Sequence, residues 1–96
     1  MSEKRRAFEE KLDAQLREWN AQLALLKAKA DTAKADTKVK YYETIETLQH
    51  KRDEAQAKLQ ELKAAHAGAW EDLKTGAERA WDDVRTAVHD ATSKFK

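Results

Sequence analysis

Histidine and carboxylate side chains are the residues of this chain whose types and spacing could support metal binding or acid–base chemistry. The sequence has three histidines and no cysteine, which excludes thiol catalysis, disulfides and thiolate metal sites. Glu46, His50 and Glu54 recur at intervals of four residues, so they share one helix face and could hold a divalent ion weakly. The same spacing is typical of ordinary charge pairing on a solvated helix face, which is the interpretation we favour.

Motifs that would build a catalytic or metal centre around these residues are absent from the sequence. Di-iron bundles use Glu-x-x-His, but no histidine of this chain has a glutamate three residues before it. No His-Glu-x-x-His motif, nucleophile–base pair or phosphate-binding glycine loop occurs either. We therefore predict a protein that is not an enzyme, with no catalytic residues, no metal ligands and no cofactor.

Composition indicates long helices in one domain that spans residues 1–96. The chain has no proline, two glycines and 39% charged residues, as is typical of helical bundles and coiled coils. Its 19 basic and 18 acidic residues leave a net charge of +1, which argues against a nucleic-acid partner. The N-terminal residues do not resemble a secretory signal and no apolar run could span a bilayer, so we expect a cytoplasmic protein.

The C-terminal third carries its large apolar residues on one narrow stripe of a helix, within an arc of about 80°. Acidic residues flank this C-terminal stripe, which weakens attraction to anionic lipid and favours packing against another helix. The stripe consists of Trp70, Leu73, Ala77, Trp81, Val84, Val88, Ala91 and Phe95.

Two further stretches have the alternating spacing of three and four residues that is typical of coiled-coil seams. They are out of phase by one residue, because the first register would place a seam position at residue 44 whereas the apolar residue is Ile45. The predicted seam and interface residues are Leu12, Leu16, Trp19, Leu23, Leu26, Tyr41, Ile45, Leu48, Leu59 and Leu62.

The phase shift allows two all-α architectures. We favour an antiparallel coiled-coil hairpin, in which a long helix over about 3–66 ends before Gly68 and a shorter helix follows over about 69–94. The alternative is a three-helix bundle with a turn near 31–37, where Asp and Thr could cap a new helix. The long helix would measure roughly 95 Å and its partner about 40 Å. The hairpin therefore leaves half its seam uncovered and predicts a homo-oligomer, with a dimer favoured.

Several segments together resemble a family of small bacterial coiled-coil stress-response proteins. The resemblance lies in Lys27–Asp31, Tyr41-Tyr42, Ala69-Trp70-Glu71-Asp72-Leu73-Lys74, Gly76–Trp81 and Ala91–Lys96. It implies a cytoplasmic helical protein that is associated with stress. It supplies no catalytic residues and no mechanism.

These observations lead to two functional hypotheses. The first is a non-enzymatic, self-associating helical protein with a stress-related protective or scaffolding role, in which other protein partners are allowed. The second is a peripheral protein of lipid or granule surfaces that opens to expose the C-terminal stripe. A lysine-rich segment could contact phosphate groups weakly, although we favour a solvated helix face. It contains Lys27, Lys29, Lys34, Lys38 and Lys40.

Overall fold

The computed structural model describes residues 2–95 and contains three α-helices and no strand within that range. Helix α1 spans Glu3–Thr32, α2 spans Ala35–Ala64 and α3 spans Ala67–Lys94. The three helices run up, down and up in a bundle of 51 × 19 × 17 Å. A helix of 30 residues is about 45 Å long, so each helix runs along nearly the whole bundle. The all-α prediction is confirmed.

The favoured hairpin with one helix over 3–66 is wrong, and the three-helix alternative fits. The chain reverses at Ala33 and Lys34, whose backbone is extended, with ψ angles of 157° at both residues. The Asp and Thr caps that the three-helix alternative allowed do not form at α2, because its N-cap is Lys34 and makes no side-chain hydrogen bond. The turn therefore lies within the predicted 31–37 segment but lacks its expected side-chain signal.

The phase shift between the two seams has a physical explanation in this reversal. Once the chain turns back, Leu23, Leu26 and Ala30 of α1 pack against Tyr41, Ile45 and Leu48 of α2. A continuous helix would carry these two groups away from each other along one axis. Burying both groups in a shared core stabilises the turn without glycine, proline or a capping side chain.

The second turn, between α2 and α3, lies slightly earlier than the sequence predicts. Helix α2 ends at Ala64, the backbone is extended at Ala65 and His66, and α3 begins at Ala67. Gly68 therefore lies in the first turn of α3, and no glycine of residues 2–95 has a positive φ angle. The prediction that Gly68 marks the end of the preceding helix is therefore wrong, because Gly68 belongs to the next helix.

Gly76 in the middle of α3 is a site where stability can be raised. A Cβ atom added there meets no heavy atom within 4 Å. We expect Gly76→Ala to increase the free energy of unfolding by about 1 kcal/mol, because alanine is the better helix former. Urea denaturation followed by circular dichroism measures this change. Gly68→Ala in the first turn serves as a comparison and should give a smaller gain; a loss of stability in Gly76→Ala would contradict the expectation.

Candidate functional site

The C-terminal stripe packs inside the chain's own bundle. Trp81 and Val84 are almost completely buried, and Trp70, Ala77 and Ala91 are buried as well. The remaining stripe residues, Leu73, Val88 and Phe95, are partly buried against the same core. The stripe thus meets α1 and α2 of its own chain.

All ten predicted seam residues are also buried within this single chain. Leu12, Leu16 and Trp19 belong to one core cluster with Leu59 and Leu62. The other five lie in a second cluster toward the opposite end of the bundle; they are Leu23, Leu26, Tyr41, Ile45 and Leu48. The uncovered half-seam that led us to predict an oligomer does not occur.

Aromatic pairs join the helices at three levels along the bundle. Phe8 and Trp70 meet edge-on, with ring centroids 5.7 Å apart, at the end where α2 turns into α3. Trp19 and Trp81 lie 5.5 Å apart at the middle level. Tyr41 and Phe95 stack with centroids 3.9 Å apart at the opposite end. Each pair contributes about 0.5–1.5 kcal/mol beyond the area that it buries.

Arg5 is a buried charged residue that the sequence analysis did not single out. The residue is 8% exposed, and Nη2 donates to the carbonyl oxygens of Leu62, Lys63 and Ala65 at 3.2, 3.3 and 2.7 Å. Leu62 and Lys63 lie in the last turn of α2 and Ala65 is its C-cap, and the Leu62 carbonyl also accepts from the backbone N–H of Ala65 at 3.2 Å. Carbonyl groups at a helix C-terminus need partners from outside the helix, and the negative end of the helix dipole favours a cation there. Arg5 therefore caps the C-terminus of α2 from α1.

Glu9 and Trp70 complete this contact and link it to α3. Arg5 Nε donates to Glu9 Oε2 at 3.0 Å, and the same oxygen accepts a hydrogen bond from Trp70 Nε1 at 2.9 Å. The Arg5 guanidinium carbon lies 5.7 Å from the Trp70 ring centroid. The sequence contains one signal for this cluster. Arg5 lies one heptad before Leu12, which places it on the α1 seam.

Substitution of Arg5 tests the capping role. We expect Arg5→Lys to lower the free energy of unfolding by about 1–3 kcal/mol, because lysine keeps the charge but lacks the planar group that reaches several carbonyls. Urea denaturation measures the loss. Arg6→Lys is the matched control, since Arg6 is exposed and its replacement should change stability by less than about 0.5 kcal/mol. Equal effects of the two substitutions would rule out a specific cap.

The end of the bundle at the α1–α2 turn has a different surface from the rest. Leu25, Val39 and Tyr42 are 50%, 56% and 48% exposed, and they are the exposed large hydrophobic residues of the described chain. Five lysines lie in the same part of the sequence, and none takes part in an ion pair within residues 2–95. We call these eight residues the basic–apolar end: Leu25, Val39, Tyr42, Lys27, Lys29, Lys34, Lys38 and Lys40.

The predicted histidine–carboxylate face is a solvent-exposed contact between two side chains. His50 Nε2 lies 2.9 Å from Glu54 Oε1, and both side chains are mostly exposed. Within residues 2–95, no group of three histidine, aspartate or glutamate side chains has the geometry to hold a metal ion. The same residues include no helix that is both long and apolar enough to cross a bilayer.

Several clefts on the bundle surface lie in the grooves between helices. One cleft of about 250 Å³ lies between α1 and α3 and includes Gln15 and Trp81 in its lining.

Comparison of the chain with protein-family models, with curated proteins and with solved structures found no match. The basic–apolar end therefore stands as the candidate functional site on its physical properties alone.

Proposed function

We propose that this protein is a non-enzymatic helical module that binds through its outer surface, in a protective or scaffolding role. The family resemblance implies the association of that role with stress. One observation carries the proposal. Leu25, Val39 and Tyr42, the exposed large hydrophobic residues within residues 2–95, all lie in the part of α1 and α2 next to the turn that joins them, where five lysines lie as well. Scattered exposed apolar residues are ordinary on a protein surface, but a group of them marks an interaction site.

The packing of the interior supports binding by the closed bundle. Trp70, Trp81 and Val84 are buried against the other helices. Burial of each such side chain contributes about 1.5–3 kcal/mol, so opening the bundle to expose the whole stripe costs several of these contributions at once. A surface that is exposed in the closed bundle carries no such cost.

Self-association is the second candidate, and it would have to use the outer surface as well. Two copies that met through the basic–apolar end would bring their lysines together, and like charges oppose such a contact. We therefore favour a partner other than a second copy of the chain.

Solution mass tests this preference. Because one chain covers its own seams, we expect light scattering at micromolar concentration to give the 11.0 kDa mass of a single chain. Small-angle scattering should agree with the 51 Å length of the bundle. A mass of two chains that falls back to one in Leu25→Ser would instead support self-association through this end.

Complementation tests the role itself. In a strain that lacks the gene, we expect the wild-type gene to restore survival under heat, osmotic or oxidative stress. The variant Leu25→Ser/Val39→Ser/Tyr42→Ser should fail to restore it, because it removes the exposed apolar surface while leaving the core intact. Thermal denaturation of the purified variant checks that it folds.

The matched control for complementation lies at exposed positions farther along α2. Gln56→Ser/Gln60→Ser changes exposed side chains outside the basic–apolar end and should restore survival fully. Full rescue by the triple serine variant would overturn the proposal, since the outer apolar surface would then have no part in the role.

A further inference from the structure

A cleft between α1 and α3 lies at the end of the bundle opposite the α1–α2 turn. Both of these helices begin at this end, because they run in the same direction. The cleft has a volume of about 350 Å³, and pockets for small organic ligands typically measure about 300–1,000 Å³. We call it the N-terminal cleft, and its lining includes Lys4, Arg5, Phe8, Ala67, Trp70 and Lys74.

Positive charge exceeds negative charge around the N-terminal cleft. Lys4, Arg5 and Lys74 line it together with one carboxylate, Glu71. Arg5 also forms an ion pair with Glu9, so three positive and two negative groups leave a local charge of +1. Neither Lys4 nor Lys74 takes part in an ion pair within residues 2–95. Both ammonium groups are therefore free to attract an anion.

Arg5 has a hydrogen-bond donor that the cap of α2 does not use. Its Nε and Nη2 atoms donate to Glu9 and to the carbonyls at the end of α2, but Nη1 has no hydrogen-bond partner within residues 2–95. The side-chain atoms that are fully enclosed without a partner are Gln15 Oε1 and Trp81 Nε1, so Nη1 still meets open space. Since Arg5 lines the cleft, an oxyanion bound there supplies an acceptor for Nη1.

The start of α3 offers backbone donors to the same anion. Its N-cap, His66, makes no side-chain hydrogen bond, and its first turn contains no acidic residue. The backbone N–H groups of this turn therefore receive no acceptor from a capping side chain. Ala67 lines the cleft, so the positive end of the α3 dipole lies at its wall.

Two aromatic rings supply the apolar part of the N-terminal cleft and hold one of its cations. Lys74 Nζ lies 5.1 Å from the Phe8 ring centroid and 5.8 Å from the Trp70 ring centroid. These cation–π contacts keep the ammonium group at the cleft before any ligand arrives, which reduces the entropy cost of binding. The same rings offer apolar surface to an organic group that is attached to the anion.

We propose that the N-terminal cleft binds a small phosphate monoester. Its phosphate group accepts hydrogen bonds from Lys4, Lys74 and Arg5 Nη1, and also from the N–H groups at the start of α3. Its organic group lies against Phe8 and Trp70. A phosphate monoester has a charge of about −1.5 to −2 at pH 7 and three terminal oxygens, so it satisfies several donors better than a carboxylate does. The cleft goes beyond the proposed function, because it shares no residue with the basic–apolar end.

Nuclear magnetic resonance of the full chain tests the binding, with phenyl phosphate as the probe. We expect the indole N–H signal of Trp70 and the amide signals of Ala67 and Gly68 to shift during the titration. The indole signals of Trp19 and Trp81 should stay in place, because this pair lies at the middle level of the bundle. A dissociation constant on the order of 1 mM is expected for a ligand of this size. Absence of these shifts, or equal shifts of all three tryptophans, would overturn the proposal.

Two further probes separate the parts of the ligand. Inorganic phosphate should bind more weakly than phenyl phosphate, on the order of tenfold, because it makes no contact with the aromatic rings. Benzoate should also bind more weakly, because it has one negative charge and two oxygens. If benzoate binds as tightly as phenyl phosphate, the assignment to a phosphate is wrong. If inorganic phosphate binds as tightly as phenyl phosphate, the rings have no part in the site and the assignment to a monoester is wrong.

Substitution of two lysines tests the location of the site. Lys4→Gln/Lys74→Gln should weaken the binding of phenyl phosphate by about tenfold, because two charged donors are lost. Arg5 stays unchanged in this variant, since its replacement would also remove the cap of α2. Thermal denaturation checks that the variant folds.

A control of equal net charge separates the cleft from general attraction. Lys27→Gln/Lys29→Gln removes two exposed lysines that lie about 35 Å from Lys4 along α1. We expect this variant to bind phenyl phosphate like the wild-type protein. Equal weakening by the two lysine pairs would show that net charge alone attracts the anion, and the proposed site would then be wrong.

Discussion

The burial of the α3 stripe by both other helices is the interaction on which the rest of the bundle depends. An isolated helix of this length is marginal in water, so α3 persists because Trp70, Trp81 and Val84 are removed from solvent. The same contacts cover the sides of α1 and α2 that would otherwise be exposed, as the pairing of Trp19 with Trp81 illustrates. Since the interior is completed within one chain, only the outer surface remains for recognition.

Local periodicity identifies which residues lie inside, but it does not determine where the chain turns. The seams and the stripe could be read from the sequence because helical spacing is a property of neighbouring residues. The reversal at Ala33–Lys34 appeared only as one of two alternatives, since it depends on contacts between Leu23–Ala30 and Tyr41–Leu48 that form only after the turn exists. Gly68 led to a wrong prediction for the opposite reason. Glycine is a strong local signal for the end of a helix, but packing places Gly68 in the first turn of α3.

The candidate site was only half visible in the sequence. Its lysines could be counted, and the heptad spacing placed Leu26 in the seam and left Leu25 outside it, as the structure has them. The spacing does not show which exposed residues of α1 and α2 lie at the same level of the bundle, because that depends on the turn. The role of Arg5 could not be predicted for a different reason. Its acceptors are the backbone carbonyls of Leu62, Lys63 and Ala65, and every residue type has such a carbonyl. Contacts with the backbone are therefore a class of interaction that sequence patterns alone miss, except where a charged residue falls on a seam.

Helix connections of two residues also affect how quickly this bundle forms. Contacts between helices that follow each other directly along the chain close short loops, and bundles of this kind fold within microseconds to milliseconds. The chain has no proline to isomerise and no cysteine to mispair, so the usual sources of slow or branched folding are missing. A molecule that is unfolded by a brief stress can thus regain its structure almost at once. Its apolar side chains are then exposed for too short a time to cause aggregation.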